Sequence, residues 1–164
     1  MAGTATPATT LLVKQEVEHQ IHTYEHDPRA ESFGTEAVDA LGGRLGVTAL
    51  QVFKTLVVSL DTGKLAVAVL PVPNRLSLKA AAAALGAGKA AMAERADVER
   101  STGYVFGGVS PLGQRKRLAT VIDASALEWD RVLCSGGRRG LEIELAPADL
   151  VRLCAAVTAP ISAG

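Results

Sequence analysis

Three separated segments carry the residue types that could build a site for a phosphate- or ester-bearing substrate. They are Val52-Phe53-Lys54-Thr55, the glycine-rich 107–113 and the glycine- and arginine-rich 135–140. Lys54 lies inside an apolar run typical of a strand, while the glycines of the other two segments allow a main chain to approach a ligand closely. The combination favours recognition by backbone and cationic groups over acid–base catalysis.

Standard catalytic signatures match these segments poorly. Gly108 and Gly113 have P-loop separation, but Gln114-Arg115 follows where a lysine and a hydroxyl residue are required. The segment 133–137 lacks the first glycine of a nucleophile elbow. Cys134 at the end of an apolar run is typical of a buried, inert thiol, with a nucleophile as the alternative. The sequence therefore disfavours nucleotide triphosphatases and serine hydrolases.

Lysine, histidine and arginine positions leave alternatives open. The strand pattern around Lys54 favours the solvent face of a sheet, and a pocket is the alternative, where burial without a partner is costly. His19, His22 and His26 lack the companions of a zinc site, so we expect no metal. The run 115–117 fits either a solvated turn or contacts to nucleic-acid phosphates.

Composition and charge set the class of protein. A chain of 164 residues with 48% hydrophobic residues is long enough for one core, so we expect one domain spanning 1–164. Lys+Arg and Asp+Glu both total 17, so only local basic clusters could bind nucleic acid. Two isolated cysteines, no signal peptide and no membrane-length apolar run predict a cytoplasmic protein without disulfides.

The elements that must position these segments follow from periodicity and turn signals. The clearest is a hairpin, 52–60 and 65–70 around the turn 61–64, which we expect at the heart of a sheet. Further strands are predicted at 21–24, 118–122, 131–134 and 141–145. Helices are predicted at 6–17 and 97–102, from Gly34 to a stop at Gly42-Gly43, and beginning at Ser77 and at Pro147. This mixture predicts an α+β fold with a mixed, mainly antiparallel sheet or barrel-like sheet and surrounding helices.

Four motifs stand in the order and spacing of a known family. They are Phe53-Lys54-Thr55-Leu56, Ser101-Thr102-Gly103-Tyr104, 107–114 and 135–141, and the segment 22–27 with Phe33-Gly34 adds to them. In these motifs the chain resembles the YbaK family, the free-standing relatives of the editing domain inserted in bacterial prolyl-tRNA synthetases. The resemblance implies a cytoplasmic enzyme without a cofactor that removes cysteine from mischarged Cys-tRNA(Pro). Its partners would be the tRNA acceptor end and prolyl-tRNA synthetase, with no membrane.

The resemblance also implies roles for individual residues. Lys54, Gly107 and Gly108 would be catalytic. The basic clusters, and not the resemblance, make Arg115, Lys116, Arg138 and Arg139 candidates for contacts to tRNA phosphates. The substrate pocket would contain Tyr24, Phe33, Thr55, Ser110, Pro111, Ser135 and Gly136. In the family mechanism the substrate's own thiol attacks the ester. Alternatives are an Ala-tRNA(Pro) or broad-specificity deacylase, in which water attacks, and a non-catalytic RNA- or protein-binding module of the same fold.

Overall fold

The computed structural model describes residues 3–25 and 33–163, and of Phe33 and Gly34 only the backbone. The helices are α1 (Pro7–Lys14), α2 (Phe33–Leu45), α3 (Leu78–Ala84), α4 (Arg95–Thr102) and α5 (Pro147–Cys154). The strands are β1 (His19–Thr23), β2 (Phe53–Leu60), β3 (Leu65–Pro71), β4 (Arg75–Leu76), β5 (Ala90–Met92), β6 (Ala119–Asp123), β7 (Val132–Ser135), β8 (Leu141–Leu145), β9 (Val157–Ala159) and β10 (Ser162–Ala163). Short 3-10 turns cover Ala49–Gln51 and Ala124–Glu128.

The main sheet is built on the predicted hairpin. Its strand order is β5-β2-β3-β6-β9, with β2 antiparallel to β3 and β5, and β6 parallel to β3 and β9. Gly63 adopts φ +88° in the hairpin turn, a conformation that glycine tolerates best. Alternate residues of β3 point to opposite faces, so Val67 and Val69 enter one hydrophobic core and Ala68 and Leu70 another. The hairpin prediction is confirmed.

A second sheet holds the glycine- and arginine-rich segment. Its order is β1-β8-β7, antiparallel throughout, and the chain from 136 to 140 connects β7 to β8. An isolated parallel bridge joins Val52 to Leu133, so the start of β2 lies beside β7. This junction brings the lysine segment next to the loop between β7 and β8.

The helices begin where capping residues predict. Thr6 caps α1 through its hydroxyl, which accepts from Thr9 N at 3.1 Å, and Ser77 caps α3 by accepting from Ala80 N at 3.1 Å. The expected stop at Gly42-Gly43 is wrong, because α2 continues to Leu45 and Gly46 follows at φ +69°. Interior glycines weaken a helix by only about 1 kcal/mol each, and the packing of Ala37 and Leu41 stabilises it.

The α+β architecture with mixed sheets is confirmed. Antiparallel pairs predominate, and α1 and α5 pack on one face of the main sheet while α3 packs on the other. The predicted strands at 21–24, 118–122, 131–134 and 141–145 correspond to β1, β6, β7 and β8 with shifts of one or two residues at some ends. Strands β4, β5, β9 and β10 were not predicted.

Candidate active site

A cavity of about 370 Å³ opens where β2 loses its second neighbour. Strand β5 pairs with β2 only from Val58 to Leu60, so the first half of β2 borders the cavity instead. The loop before β6 and the β7–β8 connection close it from other sides. The lining residues are Tyr24, Phe53, Lys54, Thr55, Leu56, Val57, Met92, Ala93, Val98, Phe106, Gly107, Val109, Ser135, Arg138, Arg139 and Glu142.

Lys54 contributes the ammonium group of this cavity. Its Nζ donates to the carbonyl oxygens of Val72 at 3.1 Å and Asn74 at 2.6 Å. Burial lowers the pKa of Lys54 below its ordinary value. An ammonium has three N–H donors, so two hold it in place and the third is left for a ligand. The favoured solvent-facing placement of Lys54 is therefore wrong, because the two carbonyl oxygens make its partial burial tolerable.

Thr55 and Tyr24 add two hydroxyl groups. The Thr55 Oγ1 is buried and has no hydrogen-bond partner among the described residues, although Thr55 lines the cavity. A buried polar atom without a protein partner is uncommon, and a ligand in the cavity could supply the partner. Burial, together with the charge of Glu142, raises the pKa of Tyr24 to about 12. The phenol therefore stays neutral and can donate a hydrogen bond into the cavity.

Glu142 is a site residue that sequence reasoning missed. It lies on β8 opposite His22 and Ser135, is only 6% exposed and lines the cavity. Within the described ranges no hydrogen bond to its carboxyl is present, and burial raises its pKa to about 8. At neutral pH the carboxyl is therefore mostly protonated until a cation approaches it. It is the one acidic group of the described cavity lining.

The two glycines at 107 and 108 differ in what they do. Gly107 lines the cavity and has φ +94°, which favours glycine. Gly108 does not line the cavity, and its N–H donates to Val105 O at 2.9 Å. A Cβ on Gly108 would lie 2.8 Å from Arg138 Cα. Gly108 was expected to be catalytic, but it lies outside the cavity lining and instead lets two cavity loops pack together.

The end of β7 supplies a hydroxyl, and the β7–β8 connection supplies two cations. Ser135 lines the cavity, and its Oγ accepts from Gly137 N at 3.1 Å. Gly136, predicted to contact substrate, instead donates from its N to Leu141 O at 2.8 Å, and its carbonyl accepts from Thr6 Oγ1 at 2.5 Å. Arg138 and Arg139 both line the cavity, as expected for residues that contact a tRNA end.

Besides Gly108 and Gly136, four further predicted site residues lie outside the cavity lining. Ser110 is fully buried, and its Oγ accepts from Leu112 N at 3.2 Å, so it shapes the loop and does not border the cavity. Pro111 and Lys116 line a second cavity of about 180 Å³, and the Pro111 carbonyl accepts from the Cys154 thiol. The main-chain N–H groups of Arg115 and Lys116 bond to the end of α4. These two cations are therefore not placed beside Lys54.

Other predictions concern thiols, histidines and an aromatic residue. Cys134 is fully buried and does not line the cavity, and burial raises its pKa well above the ordinary value, so the prediction of a buried thiol is confirmed. The side chain of Phe33 and all of His26 lie outside the described residues. His22 Nε2 lies 2.8 Å from Glu144 Oε1. Among residues 3–25 and 33–163 no cluster of potential metal ligands is present, and no helix there has the length and apolarity to cross a membrane.

Comparisons with known proteins identify the family of this chain. Residues 34–153 match the family described as the Aminoacyl-tRNA editing domain. The chain is 34% identical over 154 residues to EbsC of Enterococcus faecalis, provisionally named a Cys-tRNA(Pro)/Cys-tRNA(Cys) deacylase, covering 93% of each chain. This protein belongs to the aminoacyl-tRNA editing domain family, as the sequence motifs implied.

Solved structures confirm the fold. One, described as a provisional trans-editing enzyme for prolyl tRNA synthetase, superposes with a TM-score of 0.83 at 23% identity, covering 100% of this chain and 99% of the other. A protein described as hypothetical superposes with a TM-score of 0.81 at 24% identity, covering 96% of this chain and 100% of the other. At such identities the likeness is one of fold alone.

Proposed function

We propose that this protein is a trans-acting deacylase that releases cysteine from mischarged Cys-tRNA(Pro) in the cytoplasm. The observation that carries the proposal is the Lys54 ammonium, held by two carbonyl oxygens at the wall of the cavity with one N–H left for a ligand. The provisional name of EbsC supports the substrate. The whole of 1–164 acts as one editing domain, with no cofactor.

The chemistry requires little from the protein because the substrate supplies the nucleophile. The cysteine sulfur of the substrate loses its proton and bonds to its own ester carbonyl carbon, the bond from that carbon to the ribose oxygen breaks, and this oxygen takes up a proton. A thiolactone and free tRNA result, and water then opens the thiolactone to cysteine. The position of Cys134 is consistent with this route, since this buried thiol does not line the cavity and the described lining contains no thiol.

Lys54 stabilises the negative charge that develops on the ester oxygens. Its third N–H donates to one of them, while Val72 and Asn74 fix the position of the ammonium. A preorganised donor of this kind contributes about 3 kcal/mol to the transition state, and holding sulfur and carbonyl in attack geometry contributes roughly 7 kcal/mol or more.

Glu142, Tyr24 and Thr55 position the aminoacyl group. The α-ammonium of the substrate is a cation that would pair with the Glu142 carboxyl and lower its pKa towards the ordinary range. Tyr24 donates a hydrogen bond, and the buried Thr55 hydroxyl gains the partner that it lacks in the described structure. Arg138 and Arg139 contact phosphates of the acceptor end, and prolyl-tRNA synthetase is a candidate partner that delivers the tRNA.

The test is single-turnover deacylation of Cys-tRNA(Pro) and Ala-tRNA(Pro). We expect rapid release of cysteine alone, and a loss of about 100-fold or more for Lys54→Met. Lys64→Met is the matched control, because Lys64 is exposed in the β2–β3 turn and does not line the cavity. Thermal unfolding of each variant separates lost chemistry from lost folding.

Three outcomes decide between the alternatives. Release of alanine and not cysteine would replace thiol attack by water attack at the same site. Release of neither amino acid by the wild-type protein would favour a non-catalytic module. Equal rates for Lys54→Met and Lys64→Met would remove Lys54 from the proposed role.

A further inference from the structure

An apolar rim at the cavity mouth has no part in the chemistry described so far. Phe106 and Met92 both line the cavity, yet 42% and 51% of their respective surfaces are exposed. Val105, the neighbour of Phe106 in the chain, is also exposed. Large apolar side chains that stay exposed beside a cavity are typical of surfaces that bind a ligand.

The ring of Phe106 is held in place by α4. The backbone N of Phe106 donates to Glu99 Oε2 at 2.8 Å, and the guanidinium carbon of Arg95 lies 5.2 Å from the ring centroid. Arg95 Nε also lies 3.8 Å from Glu99 Oε2. The ring therefore has a cation on one side and a fixed backbone, so little conformational entropy is lost when a planar group stacks on it.

The size and position of the cavity indicate the occupant. Its volume of about 370 Å³ lies within the range of about 300–1,000 Å³ that is typical of pockets for drug-sized ligands. This volume is larger than a cysteinyl group alone would occupy. The group attached to the reacting ester is a ribose that carries a nucleobase. Phe106 directly precedes Gly107 at the cavity wall. When the aminoacyl group occupies the cavity, the nucleobase on its ribose would therefore lie at the apolar rim.

We propose that Phe106, backed by Arg95, is a stacking platform for the 3′-terminal adenine base of the aminoacyl-tRNA. Unpaired RNA bases are recognised by stacking on aromatic rings and guanidinium planes. Loss of the aromatic face should weaken binding about tenfold, which corresponds to about 1.4 kcal/mol. This inference rests on the proposed function, since it takes an aminoacyl-adenosine end as the ligand.

The test compares an ester that contains the base with one that lacks it. Single-turnover rates are measured against enzyme concentration for 2′(3′)-O-cysteinyl-adenosine and for cysteine methyl ester. Phe106→Leu should raise the half-saturating concentration about tenfold for the nucleoside ester and leave the methyl ester unchanged. Phe106→Trp should keep wild-type values, and Leu127→Ala, which removes an exposed side chain outside the cavity, is the control.

Two results would overturn the platform. An equal loss on both esters would show that the ring only shapes the aminoacyl cavity, and no loss on either would show that no base stacks there. If the wild-type protein cleaves neither ester, deacylation of Cys-tRNA(Pro) decides whether the proposed function holds. The platform is then tested by titrating adenosine 5′-monophosphate with NMR detection, where equal affinity of wild type and Phe106→Leu, or no binding by the wild type, refutes it.

Discussion

Gly108→Ala should lower both stability and activity, because the added methyl group would push apart two loops that form the cavity. An alanine Cβ would lie 2.8 Å from Arg138 Cα and 3.1 Å from Arg138 C and Arg139 N. Carbon atoms in contact are normally about 3.5–4.0 Å apart, so the two backbones must separate by about 1 Å. All three neighbours are backbone atoms, and no rotamer change can relieve the contact. The φ of Gly108 is outside the left-handed region, so the effect is steric.

The expected magnitude follows from this displacement. Overpacking of a well-packed contact costs about 1–3 kcal/mol of unfolding free energy, and in a chain of this size each kcal/mol lowers Tm by about 2–4 °C. The loops contribute Gly107, Arg138 and Arg139 to the cavity. A misplacement of about 1 Å at such groups can lower a rate about 100-fold.

The assay combines thermal unfolding with single-turnover deacylation well below Tm. Gly43→Ala is the matched control, since Gly43 lies inside α2 and its added Cβ would meet no atom within 4 Å. Alanine is favoured over glycine in a helix by about 1 kcal/mol. Gly43→Ala should therefore have the wild-type rate and a Tm equal to or above that of the wild type. If Gly108→Ala matches Gly43→Ala in Tm and rate, the loop contact does not position the site.

Three further variants test separate parts of the reasoning. Cys134→Ala should keep the deacylation rate, because the substrate supplies the thiol; a folded but inactive variant would instead indicate a protein nucleophile. Glu142→Gln should weaken the binding of a cysteinyl ester about tenfold. Binding of a 3-mercaptopropionyl ester, which lacks the amino group, should stay unchanged. Equal losses for the two esters would contradict pairing of Glu142 with the substrate ammonium. The pKa of Asp123 is lowered, because hydrogen bonds from Ser125, Ile161 and Ser162 outweigh burial, which raises it. The contribution of Asp123 to stability should therefore be present at neutral pH and lost below about pH 4. In denaturant unfolding, the free energy of unfolding should differ less between pH 7 and pH 3 for Asp123→Asn than for the wild type.

Local signals in the sequence predicted the larger elements. The β2–β3 hairpin combines apolar runs with a glycine turn, and Thr6 with Pro7 defines the start of α1. Strand β8 was predicted with its observed bounds because Leu141, Ile143 and Leu145 alternate with acidic residues. These elements depend on contacts or periodicities that a short window of sequence contains.

The short strands β4, β5, β9 and β10 depend on distant partners. Strand β10 pairs with β4 from the other half of the chain, and β9 extends the sheet beside β6. Each has only two or three residues, too few to show a period. Their pairing is a tertiary effect, which local propensity does not encode.

The same limit explains why Glu142 was missed and Lys54 was placed on the solvent face. Alternation on β8 predicts that both acidic residues point to solvent, and Glu144 accordingly pairs with His22 and Arg131. Glu142, two residues earlier, instead lines the cavity. Its position two residues after Gly140, the end of the glycine-rich connection, was the available signal. A strand pattern identifies which residues share a face, but it does not show that other elements enclose part of that face.

Lys54 is linked to the C-terminal segment by a chain of hydrogen bonds. The Asn74 carbonyl accepts from Lys54, the Asn74 amide donates to Ser162 Oγ at 3.0 Å, and Ser162 Oγ donates to Asp123 Oδ1 at 3.3 Å. The same Asp123 oxygen accepts from Ile161 N at 2.9 Å. A lysine side chain has high rotamer entropy, so an ammonium that acts by its position requires such external support. Because the substrate provides the nucleophile in the proposed reaction, placing this charge is a catalytic task of the protein beside holding the sulfur at the carbonyl. The connection between β3 and β4, together with β6 and β10, contributes to it.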